Sequence, residues 1–416
     1  MPELPRSAAS ATGTAGPPGP PSGRARRWVS IGVGLTILQL SFVLLADTKG
    51  LDKLCQWDCG WYRSIVAAGY QSTWPPLPQT PASNVGFFPG YPAAAWVVSQ
   101  LPGLSVEHAL VLTAVLCAGI AWIYWAALIG WMAGAGRGSA VPTMLAVAYP
   151  GAFFLVAGYS EALFQAALLG FLFWTERALA RPAGFSTAWL LAVAHGVVLT
   201  STRLVGVAAL VYPLLRWWAL EDYRVRFTPR LVWMAGLALL STGGLFAFLA
   251  YCQWKFGHWN LYFETVRIGW YGRPGLPPAH DLWEAFDLNL SASRPDGTGR
   301  LFTWAALLAA AAGLWTTLRR QPRERLAVPL LATALCLIGL GIAGRAALGF
   351  VGMVRYLLPP LALLVLAYSL PGRMSLPWPA PRSAEQERWM LWILAALLMT
   401  LQIAMLRRFM QGQWVA

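Results

Sequence analysis

Long apolar runs separated by short polar breaks dominate this chain. The first, "WVSIGVGLTILQLSFVLLA" at 28–46, follows Arg24, Arg26 and Arg27. It is about 19 residues long, enough to cross a hydrocarbon core as a helix. It exceeds a secretory h-region and no small-x-small site follows, so it predicts an uncleaved first span. Further runs predict spans over 108–132, 140–157, 161–175, 186–200, 203–217, 231–251, 301–318, 326–343, 350–370 and 389–406. The expected fold is all-α, a polytopic membrane protein of about 11 transmembrane helices. Several runs are short, and the 186–217 pair also fits two half-helices that dip and return, which needs burial in protein or a wet cavity. "YPAAAWVVSQL", 91–101, is too short to span and predicts a re-entrant or interfacial segment.

The polar segments set the organisation. Residues 1–23 hold Pro, Gly, Ala and Ser with almost no large apolar side chain, so the tail 1–27 is expected to be disordered and cytoplasmic. Residues 28–408 form a single transmembrane domain, and 409–416 a short C-terminal tail. Two connections, 47–107 and 252–300, exceed what a helix bundle needs, and long loops in compact proteins are usually functional or disordered. Their many Trp, Tyr and Phe residues argue for packing. They also hold nine of the seventeen acids, so the working face is expected on their side, the outer one.

Composition agrees. The chain is 57% hydrophobic and 12% charged, where a soluble domain has roughly 25% charged residues; mean hydropathy is +0.53. The net charge of +14 sits mostly in short loops. That pattern reads as orientation by the positive-inside rule, with the N-terminus cytoplasmic, and excludes nucleic acid as a partner. Five scattered cysteines make no zinc-like spacing. A Cys55–Cys59 bridge would suit an oxidising face, although two small residues at helical spacing is the simpler account. "GAGRG" at 134–138 is too short for a phosphate-binding loop.

Candidate chemistry lies near the span ends. In "CQWDCGWYRSIVAAGYQ", 55–71, Asp58 precedes a helix of about ten residues stopped by Gly69; locally it reads as an N-cap. The other reading is a general base at the membrane surface among Trp57, Trp61 and Tyr62. "NVGFFPGYP", 84–92, supplies a sharp turn that includes Phe88 and Pro89. Glu161, after Tyr159 and Ser160, enters an apolar span as a helix-start residue or a cavity-facing acid, because an acid there must be capped, paired or wet. Arg203, Arg345 and Arg355 are expected to converge on the same face, where their planar forks suit a phosphate. Arg267 belongs to "KFGHWNLYFETVRIGWYGR", 255–273, which reads as a surface amphipathic helix or a headgroup-binding segment.

The order "WDCGWY…GY", "FFPGYP", "GYSEALF", "TRLVG", "RYLLPP" resembles the GPI mannosyltransferase II (PIG-V) family, over about residues 50–370. That resemblance implies a GT-C class membrane glycosyltransferase moving mannose, with inversion, from a polyprenyl-phosphate donor to a lipid or glycan hydroxyl on the non-cytoplasmic face. It assigns Asp58 as general base and Arg203 and Arg355 to the donor phosphate, and Arg345 joins them through the convergence read above. Phe87, Phe88, Pro89, Tyr159, Ser160 and Glu161 match motif positions of that family, and the expected substrate pocket takes in Trp57, Trp61, Tyr62, Phe88, Pro89, Tyr159, Glu161 and Arg267. The resemblance implies no cofactor, since the lipid-linked sugar is a substrate, and leaves divalent-metal dependence open. The insert "STWPPLPQTPAS", 72–83, departs from the pattern. The Arg-, Ala- and Gly-rich composition reads as bacterial, which places the chain in a plasma membrane with an acceptor other than a GPI precursor. Membrane lipids are the surrounding partners. The competing class is a transporter or lipid flippase, which would show inverted repeats and mid-membrane charges; no repeat is visible.

Overall fold

Apolar side chains on all sides predict helices buried by other helices, and among the described residues every regular element of the computed structural model is helical. It describes residues 22–77, 81–132, 140–269, 297–319, 326–345, 352–370 and 384–415. The first span is α1 (Ser22–Ala46) and the second α4 (Val106–Met132). Between them lie two short helices, α2 (Asp58–Ala68) and α3 (Gly90–Ser99). α2 is the helix expected after Asp58, and Gly69, at φ 75°, stops it. α3 is the short segment read at 91–101.

Among the described residues six helical stretches are long and apolar enough to cross a membrane, so the chain is an integral membrane protein on length and composition. They are Gly23–Ala46, Val106–Met132, Pro229–Phe256, Gly299–Arg319, Ala327–Gly344 and Arg388–Met410. The third consists of α10 (Pro229–Ser241) and α11 (Gly243–Phe256), and α12 (Leu261–Gly269) follows it. The last three fall on α13 (Gly297–Arg319), α14 (Ala327–Arg345) and α17 (Ala384–Met410).

The remaining expected spans are shorter or broken. The run 140–157 is α5 (Ala140–Ala148) followed, after Pro150-Gly151, by a 3-10 turn over Ala152–Leu155; proline cannot continue the helix. The run 203–217 becomes α8 (Gly206–Ala209) and α9 (Tyr212–Leu220), with Pro213 in the first turn of α9. Near 350–370, α15 (Met353–Tyr356) and α16 (Leu358–Tyr368) abut at Leu357; residues 350–351 lie outside the described residues. α6 (Glu161–Leu179) is buried over nearly its whole length, with α4 and α7 (Thr187–Thr202) packed on it. α7 and the α8–α9 segment run beside α6 from end to end. Arg203 meets Glu161 at one end, and Arg216 meets Glu176 at the other. This contact pattern fits antiparallel neighbours better than half-helices turning back midway.

One end of the bundle collects the irregular backbone. The last residues of α1 and α17 meet there, with Arg407 Nη2 donating to the Leu45 carbonyl at 3.4 Å. Described parts of both long connections meet at this end: Tyr70, Phe88, Phe248 and Tyr262 share a small second core between 70–88 and α11–α12. The breaks before α6, after α7 and before α16 also lie here. Unpaired backbone at such depth is tolerated only inside protein or beside a cavity. These breaks form the site described next.

Candidate functional site

Asp58 begins α2 but does not cap it. The residue before the helix is Trp57, and no side-chain cap bond forms there. The N-cap reading of Asp58 is therefore corrected. Its carboxylate turns away from its own helix to Arg355, whose Nη1 donates to Asp58 Oδ2 at 2.5 Å. Asp58 is joined here to a residue nearly 300 positions away. Its side chain is 16% exposed and that of Arg355 is 4%.

The cluster contains a second acid and a second base. Glu161 opens α6, and its Oε1 is paired with Arg203 Nη1. Arg355 Nε lies 3.8 Å from the same Oε1. Arg203 sits where α7 ends in an extended conformation, φ −157° and ψ 143°, which turns its side chain into the cluster. Its guanidinium lies 4.0 Å from the Tyr356 ring centroid, a cation–π distance. Thus Asp58, Glu161, Arg203 and Arg355 arrive from four separate stretches with balanced formal charge. Glu161 Oε2 and Arg355 Nε are buried and make no hydrogen bond. Leaving such groups unsatisfied costs about 1–3 kcal/mol each, so the cluster retains hydrogen-bonding capacity for a ligand.

Aromatic residues hold this arrangement. Tyr62 Oη donates to Ser160 Oγ at 2.9 Å and packs edge-on against Phe87 and Tyr91. Burial, with Glu161 nearby, pushes the Tyr62 phenol well above its ordinary range, so it remains a donor. Tyr159 Oη donates to the Gln56 carbonyl at 3.1 Å and accepts from the Asp58 backbone N–H at 3.3 Å. Its own phenol is raised by burial and by the Asp58 charge. Tyr159 therefore connects the turn before α6 to the turn before α2.

Cys55 and Cys59 form a disulfide across that turn. This corrects the simpler reading of two unlinked residues on one helix face: Cys55 precedes the helix, so the pair is not at helical spacing. Gly158 makes room for the bridge, because a Cβ there would sit 2.5 Å from Cys59 Sγ. Trp57, between the cysteines, adopts φ 50°, a region rarely occupied by a bulky residue.

The other anticipated residues are distributed unevenly. Trp61 stacks on Phe87. Phe88 packs into the second core with Phe248 and Tyr262, and Pro89 precedes α3. Arg267 is paired with Glu264 on the exposed side of α12, its Nη2 2.6 Å from Oε2. Arg345 closes α14, but its side chain lies outside the described residues, so the expected convergence is described for two arginines.

Two residues not anticipated join the site. Tyr356 carries Arg203, and Trp414, from the expected tail, lies over Arg355 at 5.6 Å and edge-on to Trp57 at 5.4 Å. "RYLLPP" pointed to the neighbourhood of Tyr356; no local pattern pointed to Trp414. Beside α16 lies an apolar cavity of about 170 Å³ lined by Trp122, Trp125, Leu169, Leu358, Leu361 and Gln165. Gln165 Oε1 is buried there without a partner. Among the described residues no group of three or more His, Cys, Asp or Glu gathers as a metal site. No family model and no curated protein matches the sequence.

Proposed function

We propose that this chain is an inverting membrane glycosyltransferase of the GT-C, PIG-V type. It would move a hexose, most simply mannose, from a polyprenyl-phosphate donor to a lipid or glycan hydroxyl. The observation that carries the reading is the Asp58–Arg355 pair, with Glu161 and Arg203 beside it, at the broken ends of several membrane helices. A lipid-borne phosphate arrives at that depth with its tail in the bilayer. Arg355 and Arg203 supply planar guanidinium forks for it, and the apolar cavity along α16 suits the first part of a hydrocarbon chain.

In this reading the acceptor hydroxyl attacks the anomeric carbon and gives its proton to Asp58. The new C–O bond forms as the anomeric C–O bond to phosphate breaks. The electron pair leaves on the phosphate oxygen, and the arginines balance its charge. Asp58 and Arg355 touch directly in the structure, so the donor must come between them: Arg355 exchanges the carboxylate for the phosphate, and Asp58 is released to face the hydroxyl. The Cys55–Cys59 disulfide supports placing this end on an oxidising, non-cytoplasmic face. Arg24, Arg26, Arg27, Arg177 and Arg181 at the opposite end support a cytoplasmic N-terminus; about 11 crossings and, for a bacterial chain, the plasma membrane complete the reading.

The test is transfer of radiolabelled mannose from a polyprenyl-phosphate donor into a membrane-lipid extract by purified protein. Wild type transfers label and Asp58→Asn does not. Label transfer undiminished in Asp58→Asn removes the general base. The absence of transfer from any polyprenyl-phosphate sugar turns the reading towards a transporter.

A further inference from the structure

The end of α17 is built to deliver a residue into the site. Gly412, at φ 75°, occupies the left-handed position after the helix. The Gln413 N–H bonds the Arg408 carbonyl at 3.0 Å and the Gly412 N–H bonds the Phe409 carbonyl at 2.9 Å. These two bonds make a Schellman motif, which fixes the direction in which the chain leaves a helix. Arg408 Nε adds a bond to Gln413 Oε1 at 3.1 Å. Val415 is buried at 4% exposure and anchors the far side of the turn. Trp414, between these fixed points, is held over Arg355.

Its neighbour across the site is held as firmly. Trp57 is flanked by the disulfide cysteines and keeps φ 50°, a conformation that costs a bulky residue about 1–3 kcal/mol. The residue is nonetheless 48% exposed, so burial of its own surface does not repay that strain. The two rings meet at 86°. Together they wall a corner with the Asp58–Arg355 pair at its floor and the unpartnered Glu161 Oε2 buried in the same cluster.

We propose that Trp57 and Trp414 form a two-walled subsite for a hexopyranose ring. A sugar ring has flat C–H faces that stack on indole and a rim of hydroxyls that require acceptors. The corner offers both. A hydrocarbon chain would have no use for the carboxylates, and a free phosphate no use for the indoles. The subsite takes its chemical purpose from the transferase reading, and Trp57 and Trp414 act in it as specificity-determining residues.

The experiment reads binding separately from turnover. Wild type, W57A, W414A and W414F in lipid nanodiscs are titrated with n-butyl α-mannopyranoside, the matching glucoside and galactoside, and n-butyl phosphate, by saturation-transfer NMR. Wild type is expected to bind at least one hexoside. W57A and W414A lose at least tenfold in that affinity, W414F less than threefold, and n-butyl phosphate binds all four alike. The subsite is overturned if no hexoside binds wild type, if W414A binds as wild type does, or if W414A loses phosphate affinity in parallel, since Trp414 would then act only by holding Arg355. A parallel transfer assay separates the two claims: hexoside binding that depends on both tryptophans without turnover of any lipid-phosphate sugar sinks the transferase reading and leaves the subsite standing.

Discussion

Because Arg355 is held by Asp58, removing the acid should strengthen donor-phosphate binding while abolishing transfer. The perturbation is Asp58→Asn, which keeps the shape and removes the charge. In wild type a phosphodiester entering the site faces the Asp58 carboxylate and competes with it for Arg355. Two unit charges about 6 Å apart at an effective dielectric near 20 repel by about 3 kcal/mol. Asp58 is 16% exposed and Arg355 4%, so water screens part of this. Halving the figure leaves about 1.4 kcal/mol, or roughly tenfold in affinity. The assay is equilibrium binding of farnesyl methyl phosphate, a diester carrying one charge like the donor, to detergent-purified wild type, Asp58→Asn and Arg355→Lys. The Asp58→Asn variant should bind about tenfold more tightly than wild type and Arg355→Lys more weakly. An Asp58→Asn affinity equal to or below that of wild type refutes the exchange of partners at Arg355. Equal binding by Arg355→Lys removes Arg355 from the phosphate site altogether.

Three further outcomes are expected. Arg203→Lys and Arg355→Lys should raise the apparent KM for the donor about tenfold and leave that for the acceptor unchanged, because lysine loses the bidentate fork; initial-rate kinetics at varied donor and acceptor check this. Replacing Cys55 and Cys59 by serine should lower transfer at least tenfold while shifting the unfolding midpoint little, since the two cysteines are only four residues apart in sequence and a short closed loop stabilises by only about 2 kcal/mol; equal losses in both would show a purely structural bridge. At the opposite end, Glu176 accepts from Tyr212 Oη and Arg216 Nε, each at 2.8 Å. Glu176→Ala should cost about 3–5 kcal/mol by leaving a buried charge without its carboxylate, seen as a clear fall in midpoint by fluorescence-detected size exclusion, with Glu176→Gln falling less.

The sequence revealed spans well where they are uniform. Residues 28–46, 108–132 and 301–318 fall within helices, and 326–343 does from Ala327 on, because an unbroken apolar run has no other satisfied state in a bilayer. It overstated continuity at 140–157, 203–217 and 350–370, where averaged hydropathy conceals Pro150, Pro213 and Leu357. The same breaks bring Glu161, Arg203 and Arg355 together, so what blurred the topology created the site. Asp58 was visible as an unusual acid, but its partner was not: a cap and an ion pair look alike until the chain folds over nearly 300 residues. Glu176 and Arg216 passed unnoticed for a related reason. Each sits among ordinary loop charges in the sequence, and only the side-by-side course of α6 and α9 makes them a pair. Trp414 carried no signal, because a tryptophan near a chain end is as readily an interfacial anchor.

The turn at Gly412 has a practical side. Trp414 overlies Arg355 and Val415 is buried, so a polypeptide inserted directly after Val415 would start at the rim of the site. A purification tag or fluorescent fusion placed there would crowd the tryptophan corner and whatever enters it. Handles belong instead before Ser22, where α1 begins at the other end of the bundle. A C-terminally tagged preparation that is silent in an assay would say little about the untagged protein.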